Sequence, residues 1–152
     1  METKYRNGFC GAFAYGLAMT LNLAHAEALF IVTEPWVRLA PNARSAEAFM
    51  QLRSTDGAKL VAVRCDVAGH VAIRKRGATL DAISLPAGTS VMLAPDAYRF
   101  ELANLNRRLK LGDRVGFVIT IEAVDGSRQE IPVNAEVRRR SPTDDHRIPH
   151  SH

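Results

Sequence analysis

An all-β domain, an antiparallel sandwich or barrel, is what this sequence predicts, and three observations carry the expectation. From Glu27 onward helical periodicity is scarce, short alternating or β-branched runs recur, and each run ends at a turn signal rich in Gly, Pro, Asn or Asp. Many short strands at this spacing, with no helical crossover between them, fit antiparallel β architectures and not α/β ones. Of the 152 residues 47% are hydrophobic, 24% charged and 7% aromatic. That excludes collagenous, low-complexity and multi-pass membrane classes.

The first 26 residues stand apart. Lys4 and Arg6 precede an uncharged run from Gly11 to Ala24, and Ala24-His25-Ala26 reads as a small-x-small cleavage site. These are the three parts of a secretory signal peptide, and the run is short for a bilayer span. Residues 1–26 are therefore read as a signal, and the mature chain as about 126 residues, enough to bury roughly two thirds of its unfolded surface. Cleavage removes Lys4, Arg6 and Glu2 and takes the net charge from +4 to +3. The positive charge is local: Arg74-Lys75-Arg76, Arg107-Arg108 with Lys110, and Arg138-Arg139-Arg140. On an exported chain such clusters read as solvated surface, not as a nucleic-acid footprint.

Strands are expected at Leu29 to Val32, Trp36 to Leu39, Ala48 to Arg53, Lys59 to Asp66, His70 to Lys75, Ala82 to Leu85, Ser90 to Leu93, Tyr98 to Leu105, Arg114 to Ala123 and Arg128 to Val137. Between them lie Ala40-Pro41-Asn42, Thr55-Asp56-Gly57, Pro86-Ala87-Gly88, Ala94-Pro95-Asp96 and Leu111-Gly112-Asp113. Asp125-Gly126, between two long runs, is the strongest hairpin signal. Residues 27–140 thus form one sandwich domain. After Arg140 the chain turns polar, and residues 141–152 are read as a disordered tail holding His146, His150 and His152.

Catalysis finds little footing. A nucleophile needs a base beside it, and within the folded part only His70 is at hand; no elbow, phosphate loop or His-Glu-x-x-His helix occurs. The carboxylates show no pairing that sequence would select for acid/base work. The chain is read as a non-enzyme. Cys10 falls in the signal, outside a lipobox, and Cys65 alternates with Val61, Val63 and Val67 as a small strand hydrophobe. Metal binding is the chemistry left. Imidazole suits copper, zinc or nickel, so His146, His150 and His152 on the tail are candidate ligands, with His70 as a fourth. If residues 67–75 are extended, His70, Ala72 and Arg74 share one face. Of the mature methionines, Met50 reads as core and Met92, between Val91 and Leu93, as exposed.

The order of segments is similar to that of a known family. Glu34-Pro35-Trp36-Val37-Arg38, Ala48 through Arg53, Lys59 through Val63, Ile83 through Thr89, Val91 through Tyr98 and Leu105 through Asp113 follow one another as in the periplasmic copper chaperones of the PCu(A)C type. The resemblance covers most of residues 30 to 135. It implies a cupredoxin-like antiparallel Greek-key β-sandwich in the periplasm, carrying Cu(I) toward cytochrome oxidase assembly. It also implies a site of His, ten residues, Met, twenty-one residues, then His-x-Met. This chain departs there: the first His falls on Arg74, and the His-x-Met pair on Arg99 and Glu101. Arg74 and Arg99 lie 25 positions apart where the motif needs 33, and Gly77-Ala78-Thr79-Leu80 carries no methionine.

Arg74 or Arg99 is expected to pair with Glu101. Two functions follow. One is an exported copper chaperone-like protein with a degenerate or relocated site, served by a copper-donating or copper-accepting periplasmic partner. The other is a metal-independent periplasmic module that docks a protein through its arginines. Either is expected as a monomer that binds no nucleic acid and enters no membrane stably.

Overall fold

A computed structural model describes residues 29–145, and ten strands account for most of them. These are β1 (Phe30–Leu39), β2 (Ala46–Ser54), β3 (Ala58–Cys65), β4 (Ala68–Lys75), β5 (Ala78–Leu80), β6 (Ile83–Leu85), β7 (Ser90–Leu93), β8 (Tyr98–Leu105), β9 (Arg114–Ala123) and β10 (Arg128–Val137). They run side by side in the order β5-β4-β8-β7-β2-β1-β10-β9-β3-β6, with β8 also paired to β2. Pairing is antiparallel except where β1 meets β10 and at the single β7–β8 pair. The sheet folds over on itself, so that inward residues of β2, β4 and β8 share one core with those of β3, β6, β9 and β10. The all-β sandwich expected from the sequence is the fold observed.

Period-two alternation sends one face of each long strand inward. On β9 these are Val115, Phe117, Ile119 and Ile121; on β2 they are Ala46, Ala48, Met50 and Leu52; on β8 they are Phe100 and Leu102. Phe100 and Phe117 meet tilted at 6.5 Å in the middle of this core. The Asp125-Gly126 signal marks the turn between β9 and β10, with Gly126 at φ 83, where a side chain would be strained.

Three expectations change. The first two expected strands are one, because β1 runs through Glu34-Pro35 on a register shift between Thr33 and Trp36, which spares the missing proline N–H a ladder position. The stretch after Gly77, expected as a connection, is the short strand β5. Arg76 and Gly77, at φ 48 and 85, form a two-residue turn of the type that suits hairpin twist. The polar segment after 140 begins with one helical turn, α1 (Pro142–Asp145). Ser141 Oγ accepts the Thr143 N–H at 3.3 Å, Pro142 fits the first helical position, and Thr143 Oγ1 donates to the Glu34 carboxylate. The expected signal peptide and the tail histidines lie outside the described residues.

Candidate functional site

The positions that the resemblance assigns to copper ligands lie on the outer face of β4 and β8. Arg74 stands opposite Arg99, and Glu101 stands opposite Ala72 on one side and Glu47 of β2 on the other. Glu47 in turn faces Arg38 of β1. Period two then puts Trp36 and Arg38, Glu47 and Phe49, Arg99 and Glu101, and Ala72 and Arg74 on one surface across four strands.

Charge on this surface is arranged as a ladder. Arg38 donates to Glu47 Oε2 at 2.6 Å, and Arg99 Nε approaches Glu47 Oε1 at 3.0 Å. Arg74 donates to Glu101 Oε1 at 3.3 Å and to the Gly77 carbonyl at 3.4 Å. The Arg38 guanidinium also lies 5.1 Å above the Phe49 ring, which stacks on Trp36 at 4.8 Å. The Nε atoms of both Arg74 and Arg99 are buried without a hydrogen bond, so the Arg99–Glu47 contact is an ion pair at an angle too poor to count as one. Of the two expected pairings, Arg74 takes Glu101; Arg99 goes to Glu47 on the neighbouring strand β2 instead of to Glu101 on its own strand.

Such a surface does not fit Cu(I). Guanidinium has no lone pair to give and stays protonated, and three arginines against two glutamates leave a positive surplus that repels a cation. What it does fit is an anionic group, since guanidinium forks match carboxylate geometry.

The other candidates are dispersed. His70 is exposed on β4 opposite Ala103, on the same face as Ala72 and Arg74 as expected, with Ala72 between it and the ladder. Among the described residues no three His, Cys, Asp or Glu side chains gather as a metal-holding group. His146, His150 and His152 are beyond the described residues. Met50 is core; Met92 is exposed and stands opposite Gln51, on the Trp36 face. Cys65 is half-buried beside the core, and burial above all raises its thiol pKa, so it is a poor thiolate. Sequence reasoning missed Glu47, which bridges two arginines; only the strand register reveals it.

The family model described as "Putative lipoprotein LpqE-like" matches residues 31–137. The chain belongs to the LpqE-like family. Its fold is that of PCuAC domains. The LpqE-like chain is 28% identical to Cu(I)-bound DR1885 from Deinococcus radiodurans at a TM-score of 0.57, covering 76% of this chain and 83% of that one. It also superposes on the copper-bound PCuAC domain from PmoF2 at a TM-score of 0.62 and 21% identity, covering 73% and 93%. The apo PCuAC domain from PmoF1 gives 0.60 at 21% identity, covering 73% and 94%. No curated protein matches it. No helix among the described residues of this LpqE-like chain is long and apolar enough to cross a membrane.

Proposed function

We propose that this protein is an exported, copper chaperone-like member of its family that works in the periplasm with its metal site relocated. The identity to a Cu(I)-bound domain over most of that domain's length is the observation that carries the copper reading. Arginines at the usual ligand positions argue that the sandwich face has given up the metal. His146, His150 and His152 then supply the imidazoles, with His70 as a further donor on the domain. Delivery to a copper-accepting partner of cytochrome oxidase assembly is the role that goes with this reading. The N-terminal signal pattern supports export.

The test is a titration of the purified protein with Cu(I) and Cu(II), with and without residues 146–152. Stoichiometric binding that vanishes with the histidines supports relocation. Tight binding that survives their removal overturns it.

The Arg38–Glu47–Arg99 ladder favours a second reading, a metal-independent module that docks an acidic partner. No copper binding in either form would leave that reading standing, and Arg74→Ala with Arg99→Ala would then abolish the docking.

A further inference from the structure

We infer that the loop between β8 and β9, together with the segment that follows β10, docks the protein peripherally on an anionic phospholipid surface, with Leu111 as the residue that enters it. Three observations carry this.

The first is that two basic runs distant in sequence become one patch. Gly112 N–H donates to the Val137 carbonyl at 2.9 Å, and Val137 N–H donates to the Asp113 carbonyl at 2.9 Å. The loop that carries Arg107-Arg108 and Lys110 therefore lies against Arg138-Arg139-Arg140. Leu111, Gly112, Arg138, Arg139 and Arg140 line one hollow of about 430 Å³.

The second is the charge. Residues 105–114 and 136–140 hold seven basic and two acidic side chains, a net +5, whereas the other described residues hold ten basic and twelve acidic ones, a net −2. The whole positive surplus of the described domain thus sits on these two segments. Ion pairs occupy part of it: Arg107 with Asp113, and Arg114 and Arg138 with Glu136. Arg108, Lys110, Arg139 and Arg140 are exposed and form no ion pair among the described residues. Each such cation near an anionic bilayer strengthens binding about fivefold.

The third is Leu111. It is 50% exposed, at the apex of a turn closed by the Asp113 N–H on the Lys110 carbonyl at 3.1 Å, with Gly112 behind it at φ 87, as that turn position requires. Leu109 is buried and anchors the loop, so Leu111 is presented on a fixed tip. An acidic protein surface would satisfy the cations but set Leu111 against charge. An anionic bilayer meets both, with phosphates at the level of the cations and an apolar layer beneath for the leucine.

The chain from residue 27 on holds every described residue and leaves out the apolar run of Gly11 to Ala24, which would bind lipid by itself. It is sedimented with vesicles of phosphatidylcholine alone and of phosphatidylcholine with about one third phosphatidylglycerol. Binding should be confined to the anionic vesicles and weaken as salt is added. Arg108→Gln, Arg139→Gln and Arg140→Gln together should weaken it about a hundredfold, at roughly fivefold per charge. Arg53→Gln, Lys59→Gln and Arg76→Gln remove the same charge from exposed residues elsewhere and should change it less than about threefold. Leu111→Ser should weaken vesicle binding about fivefold and leave capture on soluble polyglutamate unchanged. All seven positions are exposed, so urea midpoints should stay at the wild-type value. No binding to the anionic vesicles, equal binding to both kinds, or equal losses in the two triple variants would overturn the docking surface. Undiminished vesicle binding in Leu111→Ser would overturn the bilayer and assign the patch to an acidic polypeptide.

Discussion

Glu47 Oε1 lies 3.0 Å from Arg99 Nε while its other oxygen holds Arg38 at 2.6 Å, so a single carboxylate ties β1, β2 and β8 together on their outer face. Removing it leaves two guanidiniums close together, one of them with a buried Nε already lacking a hydrogen bond. Glu47→Gln should therefore destabilise the domain by about 1–2 kcal/mol, a hydrogen bond to a charged group being discounted for partial exposure. Added salt should narrow the difference. Arg64→Ala breaks a pair whose side chains are both more than half exposed, and should stay within about 0.5 kcal/mol of wild type. Urea unfolding of the two variants separates them, and equal midpoints would refute the distinction.

Gly116, on β9, is kept free of a side chain by Asp66 in the turn between β3 and β4. Its N–H donates to Asp66 Oδ1 at 3.1 Å, its carbonyl accepts the Asp66 N–H at 3.0 Å, and a Cβ there would sit 2.9 Å from Asp66 Oδ2. Gly116→Ala should cost about 1–3 kcal/mol through overpacking. Most of that cost should disappear when Asp66 is also replaced by Gly, because the clashing carboxylate is gone. Additive costs in the double-mutant cycle would show that the strain lies elsewhere.

Acid should weaken the fold through the turn before β9. Asp113 accepts the Lys110 N–H at 2.9 Å and the Arg107 guanidinium at 3.0 Å, and these bonds hold its carboxyl below the ordinary carboxylate value. A carboxyl whose folded pKa is depressed contributes stability that is fully present above its unfolded value and is lost as pH falls through the folded one. The loss should therefore set in below about pH 4. Urea midpoints measured from about pH 6 down to about pH 2 should fall less steeply in Asp113→Asn than in wild type. Parallel curves would remove Asp113 from the acid response.

How far the sequence reaches is visible strand by strand. Ser90–Leu93, Tyr98–Leu105, Arg114–Ala123 and Arg128–Val137 begin and end where alternation and turn residues put them, because a half-buried strand writes its period directly into its residues. β5 escapes because three residues carry no period and Arg76 is an unusual occupant of a positive-φ turn position. The Glu34-Pro35 break misleads because a proline at a register shift need not end a strand. At the candidate site, the absence of soft ligands at Arg74, Arg99 and Glu101 is what the resemblance to the copper chaperones implies. The identity of their partners is not legible in the sequence, since Glu47 is beside Arg99 only through the β2–β8 register, a long-range pairing that local pattern does not encode.

Thr143 ties the last helical turn to the first strand. Its hydroxyl donates to the Glu34 carboxylate and so fixes α1 against β1, three residues before His146. A single net hydrogen bond is worth about 0.5–1.5 kcal/mol, and 1.4 kcal/mol is a factor of ten in an equilibrium constant. Thr143→Val keeps the side-chain shape and removes the donor, so α1 is held less closely to β1. Amide hydrogen exchange within residues 142–145 should speed up by about two- to tenfold, while the urea midpoint stays close to wild type because the contact is exposed and lies outside the core. Glu34→Gln, which still accepts a hydrogen bond, should fall between the two. Unchanged exchange in Thr143→Val would mean that the helical turn is held to β1 without this hydrogen bond.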